Sequence, residues 1–135
     1  MPVFTKDAGR FLASEEVVPL KEAYKKRKAE SGLAKDKVVQ SEFFGIDQIQ
    51  RLLDQPGCVG LRIHHAKRWE DENGRPTASG KGDLKPRVLL TAVDSAGRDL
   101  PVRSANAGLK DSMGRAEALG DGPVCPRHCA EDDIQ

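Results

Sequence analysis

Aromatic side chains are scarce in this 135-residue chain, at 4% of the sequence. Phe4, Phe11, Tyr24, Phe43, Phe44 and Trp69 are scattered, which argues against a stacking platform for single-stranded nucleic acid. Excess charge of one sign is lacking too: the formal net charge is +1, so the chain as a whole has no pull toward DNA, RNA or anionic lipid. No apolar run approaches the roughly 20 residues that span a bilayer. The start, "MPVFTKDAGRFLASEEVV", is broken by Lys6, Asp7 and Arg10 before any signal-peptide core can form. Three cysteines are too few, and odd in number, for a disulfide scaffold. These absences predict a cytoplasmic protein with reduced thiols, no membrane segment and no nucleic-acid partner. Also lacking are a Gly-x-Ser-x-Gly elbow and a glycine-rich phosphate loop ending in Lys-Ser or Lys-Thr. No internal repeat is evident.

Hydrophobic residues form 38% of the chain and charged residues 32%, which fits one domain with a compact core and a charged surface. In "VVPLKEAYKKRKAE", Pro19 suits a first helical turn, and Leu20, Ala23 and Tyr24 repeat at helical spacing up to a stop at Gly32. From Lys21 to Lys37, seven basic and three acidic residues give +4. That stretch offers a site for an acidic partner, but a solvated helix face is the favoured reading, because no aromatic residues interleave the charges.

The strongest helical pattern is "FFGIDQIQRLLDQPG", with Ile46, Ile49, Leu52 and Leu53 in one stripe and a stop at Pro56-Gly57. Phe43 and Phe44 are placed to pack back like a hydrophobic staple. In "CVGLRIHHA", Val59, Leu61 and Ile63 alternate with Gly60, Arg62 and His64, the period of a half-buried strand. By parity His65 joins the apolar side and His64 the side of Cys58 and Arg62. "RWEDENGRPTASGKGDLKP" reads as a long loop or ragged hairpin, and "RVLLTAVD" as a central strand. "DSAGRDLPV" turns at Ala96-Gly97 into a short third strand limited by Pro101. Leu109, Met113, Ala116 and Leu119 sketch a weak helix interrupted by Gly114.

This order predicts an α+β fold of two layers, with a short antiparallel β-meander packed against N-terminal helices and an irregular C-terminal tail. The expected divisions are an arm at 1–16, a single domain at 17–103 and a tail at 104–135.

Little else in the chain looks like chemistry beyond "CPRHC" near the end. If Pro126 starts a helical turn, Cys125 becomes its N-cap, where the helix dipole favours a thiolate. Cys129 then lies one turn later on the same face, so both sulfurs can converge on a metal. Zinc wants four ligands, and Cys58 and His64 are the candidates to complete the set. The alternatives are a regulatory disulfide, and two tail thiols packed as small hydrophobes. His64 and His65, as strand neighbours, point to opposite faces and cannot share one ion. A link from Cys58 to the tail would close a loop of about 70 residues, worth roughly 4 kcal/mol as a disulfide.

The run "FFGIDQIQRLLDQPGCVGLRI", the turn "DSAGRDL" and the terminal "CPRHC" resemble a group of small uncharacterised bacterial proteins. Those proteins carry a similar helix, a Q-x-G-C-x-G-x-R-I turn and strand, and a closing Cys-Pro pair. The resemblance covers about residues 43–129 and implies that Cys58, Cys125 and Cys129 form one structural constellation. With no complete catalytic constellation, and a short sheet needing cover, the leading expectation is a non-catalytic protein-interaction domain, with a protein partner or its own copies. The alternative is a metal- or redox-responsive thiol protein using Cys125 and Cys129.

Overall fold

The computed structural model describes residues 2–30, 32, 39–103, 115–125 and 127–130. Its elements are α1 (Ser14–Glu30), β1 (Ser41–Glu42), α2 (Ile46–Leu53), β2 (Gly60–Glu70), β3 (Asp83–Val93), β4 (Asp99–Leu100), β5 (Val102–Arg103), β6 (Arg115–Ala116) and β7 (Val124–Cys125). The fold is α+β with antiparallel strands, as the patterning predicts. The meander β2-β3-β4 forms one sheet, and β5-β6 and β1-β7 are separate two-stranded ribbons. No helix among the described residues is long and apolar enough to cross a membrane. The weak helix sketched from Leu109 falls largely outside the described residues. What is described of the tail enters the fold through β6, β7 and a bridge from Leu119 to Leu90.

The chain divides into two compact units. The first comprises residues 1–8, 44–66 and 88–121. Its core is Leu52, Leu90, Ala92 and Val102, joined by Phe44, Cys58, Leu100 and Leu119. Leu52 of α2 is only 2% exposed, and burying such a side chain stabilises by about 1.5–3 kcal/mol. β3 is central, as its doubly apolar pattern predicts, with β4 paired through Ala92–Leu100 and Val93–Asp99. Alternation then puts Leu90 and Ala92 on the face that α2 covers, and Thr91 with Asp99 on the other. The staple forms in part: Phe44 packs on the core, while Phe43 is exposed.

The second unit comprises residues 9–43, 67–87 and 122–135. Its α1 begins at Ser14, earlier than Pro19 predicts, so the proline lies inside the helix. Glu15 and Glu16 occupy the first turn, where acids favour the helix dipole. Glu16 also accepts a hydrogen bond from the N–H of Ala13, a start signal stronger than the proline.

β2 and β3 run further into "RWEDENGRPTASGKGDLKP" than the sequence reading allows, because a buried ion network holds their polar ends. Arg87 grips Glu42 with two hydrogen bonds, Nε to Oε1 at 3.1 Å and Nη2 to Oε2 at 2.9 Å. Its Nη1 donates to Glu70 Oε2 at 3.0 Å, and its Nη2 to the carbonyl of Gly122 at 2.7 Å. Glu42 Oε2 in turn accepts the N–H of Gly122, and Arg68 adds a second cation to Glu70. Burial works against the Arg87 charge, but Glu42 and Glu70 outweigh it and hold the guanidinium protonated beyond its ordinary value.

The two hairpin turns share a motif that sequence inspection passes over, Asp-x-x-Gly-Arg at Asp71–Arg75 and at Asp94–Arg98. In each, the Asp N–H donates to the Arg carbonyl, and the Gly N–H to the Asp carbonyl. The Asp Oδ1 accepts two further backbone N–H groups, from Asn73 and Arg75 or from Ala96 and Arg98. Gly74 and Gly97 close the turns at φ 79° and 85°, a region costly for other residues. At Gly97 an added Cβ would also strike the Phe4 ring.

Two outcomes test these interactions. Arg87→Met removes the guanidinium that neutralises the buried Glu42 carboxylate and is expected to destabilise by about 3–5 kcal/mol in chemical unfolding. An Arg87→Met/Glu42→Leu variant should recover much of that loss, since Glu70 keeps Arg68 and the Glu42 carboxylate goes with its guanidinium. Asp94 is held below its ordinary value chiefly by the Arg98 N–H, and Asp71 chiefly by the Arg75 N–H. With the folded values depressed, their contribution is complete above an ordinary carboxylate pKa of about 3.9 and fades as pH falls through the folded values. Asp71→Asn/Asp94→Asn should therefore flatten the acid limb of a stability–pH profile while leaving its neutral limb sloped as before.

Candidate functional site

The four predicted ligands divide between the two units, Cys58 and His64 in the first and Cys125 and Cys129 in the second. Cys125 ends β7 and is joined to Cys129 by a disulfide across Cα atoms 4.6 Å apart, within the range that a bridge requires. This corrects the reading of all thiols as reduced. In this bonded form neither sulfur is a thiolate. The helical turn expected at Pro126 begins at a residue outside those described.

Cys58 keeps a free thiol and is half-buried against the first unit's core. It donates to the carbonyl of Gly60 at 3.3 Å, as a small hydrophobe with a weak donor. His64 turns to a different set of partners. Among the described residues, no three His, Cys, Asp or Glu side chains gather where an ion could be held.

His64 lies with Arg62 on one face of β2, as strand parity predicts, and the sheet brings Thr91 and Asp99 to them. Thr91 Oγ1 donates to Asp99 Oδ1 at 3.1 Å, and Arg62 Nη1 reaches the same oxygen at 2.7 Å. His64 Nε2 is 3.1 Å from Thr91 Oγ1 and 3.3 Å from Asp99 Oδ2. The ring nitrogen thus faces both oxygens, and its tautomer sets whether it donates or accepts. These four groups are thereby linked by hydrogen bonds on one face of the sheet. His64, Thr91 and Asp99 line a cavity of about 410 Å³ with Leu89, Leu100 and Glu117. Phe4 stacks over Arg62, its ring centre 5.6 Å from the guanidinium carbon.

Sequence reading put His64 beside Arg62 because alternation is local. It missed Thr91, Asp99 and Phe4, whose places depend on pairing between distant segments.

The same geometry inverts the expected burial of β2. The polar side (Arg62, His64) is half-buried, whereas Leu61 and Ile63 are exposed. Since His64 bonds to Thr91, the odd residues of β2 project on the α2 side of the sheet. α2 has eight residues, a length of about 12 Å, and its buried contact is through Leu52. Ile63 is left 59% exposed, and Ile46 and Leu53 on α2 are exposed as well.

The second unit holds another cavity of about 460 Å³, where α1 faces β1 and the disulfide. Tyr24 donates to the carbonyl of Val39 at 2.8 Å, and burial raises its hydroxyl above its ordinary value. The Gln40 N–H donates to the Cys125 carbonyl at 2.9 Å, continuing the pairing of β1 with β7.

No family model, curated protein or solved structure matches the chain.

Proposed function

We propose that the chain is a non-catalytic interaction domain that associates with a second copy of itself through β2. The observation that carries this reading is the uncovered apolar side of β2, Leu61 and Ile63, on a strand at the end of the sheet order β2-β3-β4. An edge strand of 11 residues offers a row of backbone groups for pairing, and proteins usually shorten or charge such edges. Here the α2-side positions from Leu61 to Ile63 carry no charge.

A strand that pairs antiparallel with its own copy makes a two-fold interface, in which each contact occurs twice. Pairing centred on Arg62 sets Leu61 against the partner's Ile63, while each Arg62 stays neutralised on the opposite face by its own Asp99. Ile46 and Leu53 supply further apolar surface on the helix of the same unit.

A cytoplasmic location belongs to the same proposal. In a reducing compartment a disulfide is usually transient or regulatory. The Cys125–Cys129 bond therefore favours thiol responsiveness as a second reading.

Sedimentation of the full chain from micromolar to near-millimolar concentration tests self-association. The wild type is expected to pass from monomer to dimer mass. Ile63→Lys should weaken that step by about tenfold or more, given about 1.5–3 kcal/mol for each buried isoleucine. Its circular dichroism should be unchanged. A wild-type chain that stays monomeric throughout would overturn the reading.

A further inference from the structure

The cavity of the second unit combines a disulfide-bonded cysteine with two lysines, and nothing in the fold requires that combination. Lys21 and Lys25 stand four positions apart on α1, so both residues line the same side of the cavity. Lys25 has an exposed, loose pairing with Glu22 at 3.9 Å. Ser41 and Gln40 add hydrogen-bonding groups to the lining, and Cys125 lies at the wall.

As a staple the bond does little. It links residues four apart, and a loop that small constrains the unfolded chain far less than a long one. β7 is already held to β1 by backbone pairing. Both cysteines are only half-buried, so a small nucleophile can approach.

We infer that this cavity is a thiol-exchange site for a small anionic thiol, one bearing a carboxylate or sulfonate beside its sulfur. The lysines hold the anionic group while the thiolate attacks the Sγ of Cys125, the cysteine of the pair that lines the cavity. A new S–S bond forms between the ligand and Cys125. The Cys125–Cys129 bond breaks, its electron pair leaves on Cys129 Sγ, and that thiolate takes a proton from water. A second equivalent of the thiol attacks the ligand sulfur of the mixed disulfide. It releases Cys125 as a thiol and carries away the oxidised ligand disulfide, so two thiols are oxidised for each protein disulfide reduced. The site stands independently of self-association through β2, because its residues belong to the second unit and Leu61 and Ile63 to the first.

The test compares three small thiols on the air-oxidised full chain at equal thiolate concentration: 2-mercaptoethanesulfonate (anionic), 2-mercaptoethanol (neutral) and cysteamine (cationic). Ring opening is followed by intact mass, and the first adduct is located by peptide mapping. The anionic thiol is expected to react several-fold faster than the cationic one, with the first adduct on Cys125. The preference should shrink in high salt, which screens the lysines. Lys21→Glu/Lys25→Glu should abolish or reverse it. Lys67→Glu/Lys81→Glu, which makes the same change in net charge elsewhere, should preserve it. Equal rates for the three thiols, an adduct on Cys129, an equal effect of the two charge variants, or a chain whose thiols stay free after air oxidation would each overturn the inference.

Discussion

The second unit depends on Arg87. One guanidinium satisfies Glu42 on β1, Glu70 on β2 and the carbonyl of Gly122, and so joins segments that lie far apart in sequence. The side chains of Arg87, Glu42 and Glu70 are 7%, 4% and 1% exposed. Charges so far from water are tolerable only when each has a partner. That requirement explains why polar residues carry β2 and β3 to Glu70 and Asp83. Apolar packing is thin here, with Val39 the unit's buried hydrophobic among the described residues. Directional bonds do more of the positioning, and no buried side-chain polar atom is left without a partner among the described residues.

The first unit is organised differently. A small cluster around Leu52, Leu90, Ala92 and Val102 holds α2 to the sheet. On the opposite face Arg62, His64, Thr91 and Asp99 form a linked set of hydrogen bonds beneath Phe4. The sheet thus has a hydrogen-bonded polar face and an apolar face too wide for its helix. The shortness of α2 is the common cause of the exposed Leu61 and Ile63 and of the proposed self-association. Had the helix run another two turns, that surface could have been covered within the chain.

The cysteines show how a shared motif divides by environment. Cys58 sits beside apolar neighbours and behaves as a core residue. Cys125 and Cys129 are bonded to each other, and Cys125 shares a cavity with two lysines. The chemical distinction comes from charge. The proposed thiol exchange draws on the charge beside Cys125, since all three cysteines are half-buried alike.

Local spacing alone determined α2, the alternation of β2, the central place of β3 and the short return after Gly97. Each of these is written in side chains only a few positions apart. Parity likewise put His64 with Arg62. The paired Asp-x-x-Gly-Arg turns were legible too, as a repeat of five residues, but the signal was too short to stand out. Tertiary structure decided the rest. Burial on β2 followed the reach of α2 and not the apolarity of Leu61 and Ile63, because a strand side is buried only where another element covers it. Glu42, Glu70 and Arg87 read as ordinary surface charges until strand pairing brings them together and removes water. Thr91 and Asp99 reach His64 by the same route. Proximity between distant segments is a property of the folded chain, and no pattern within either segment carries it.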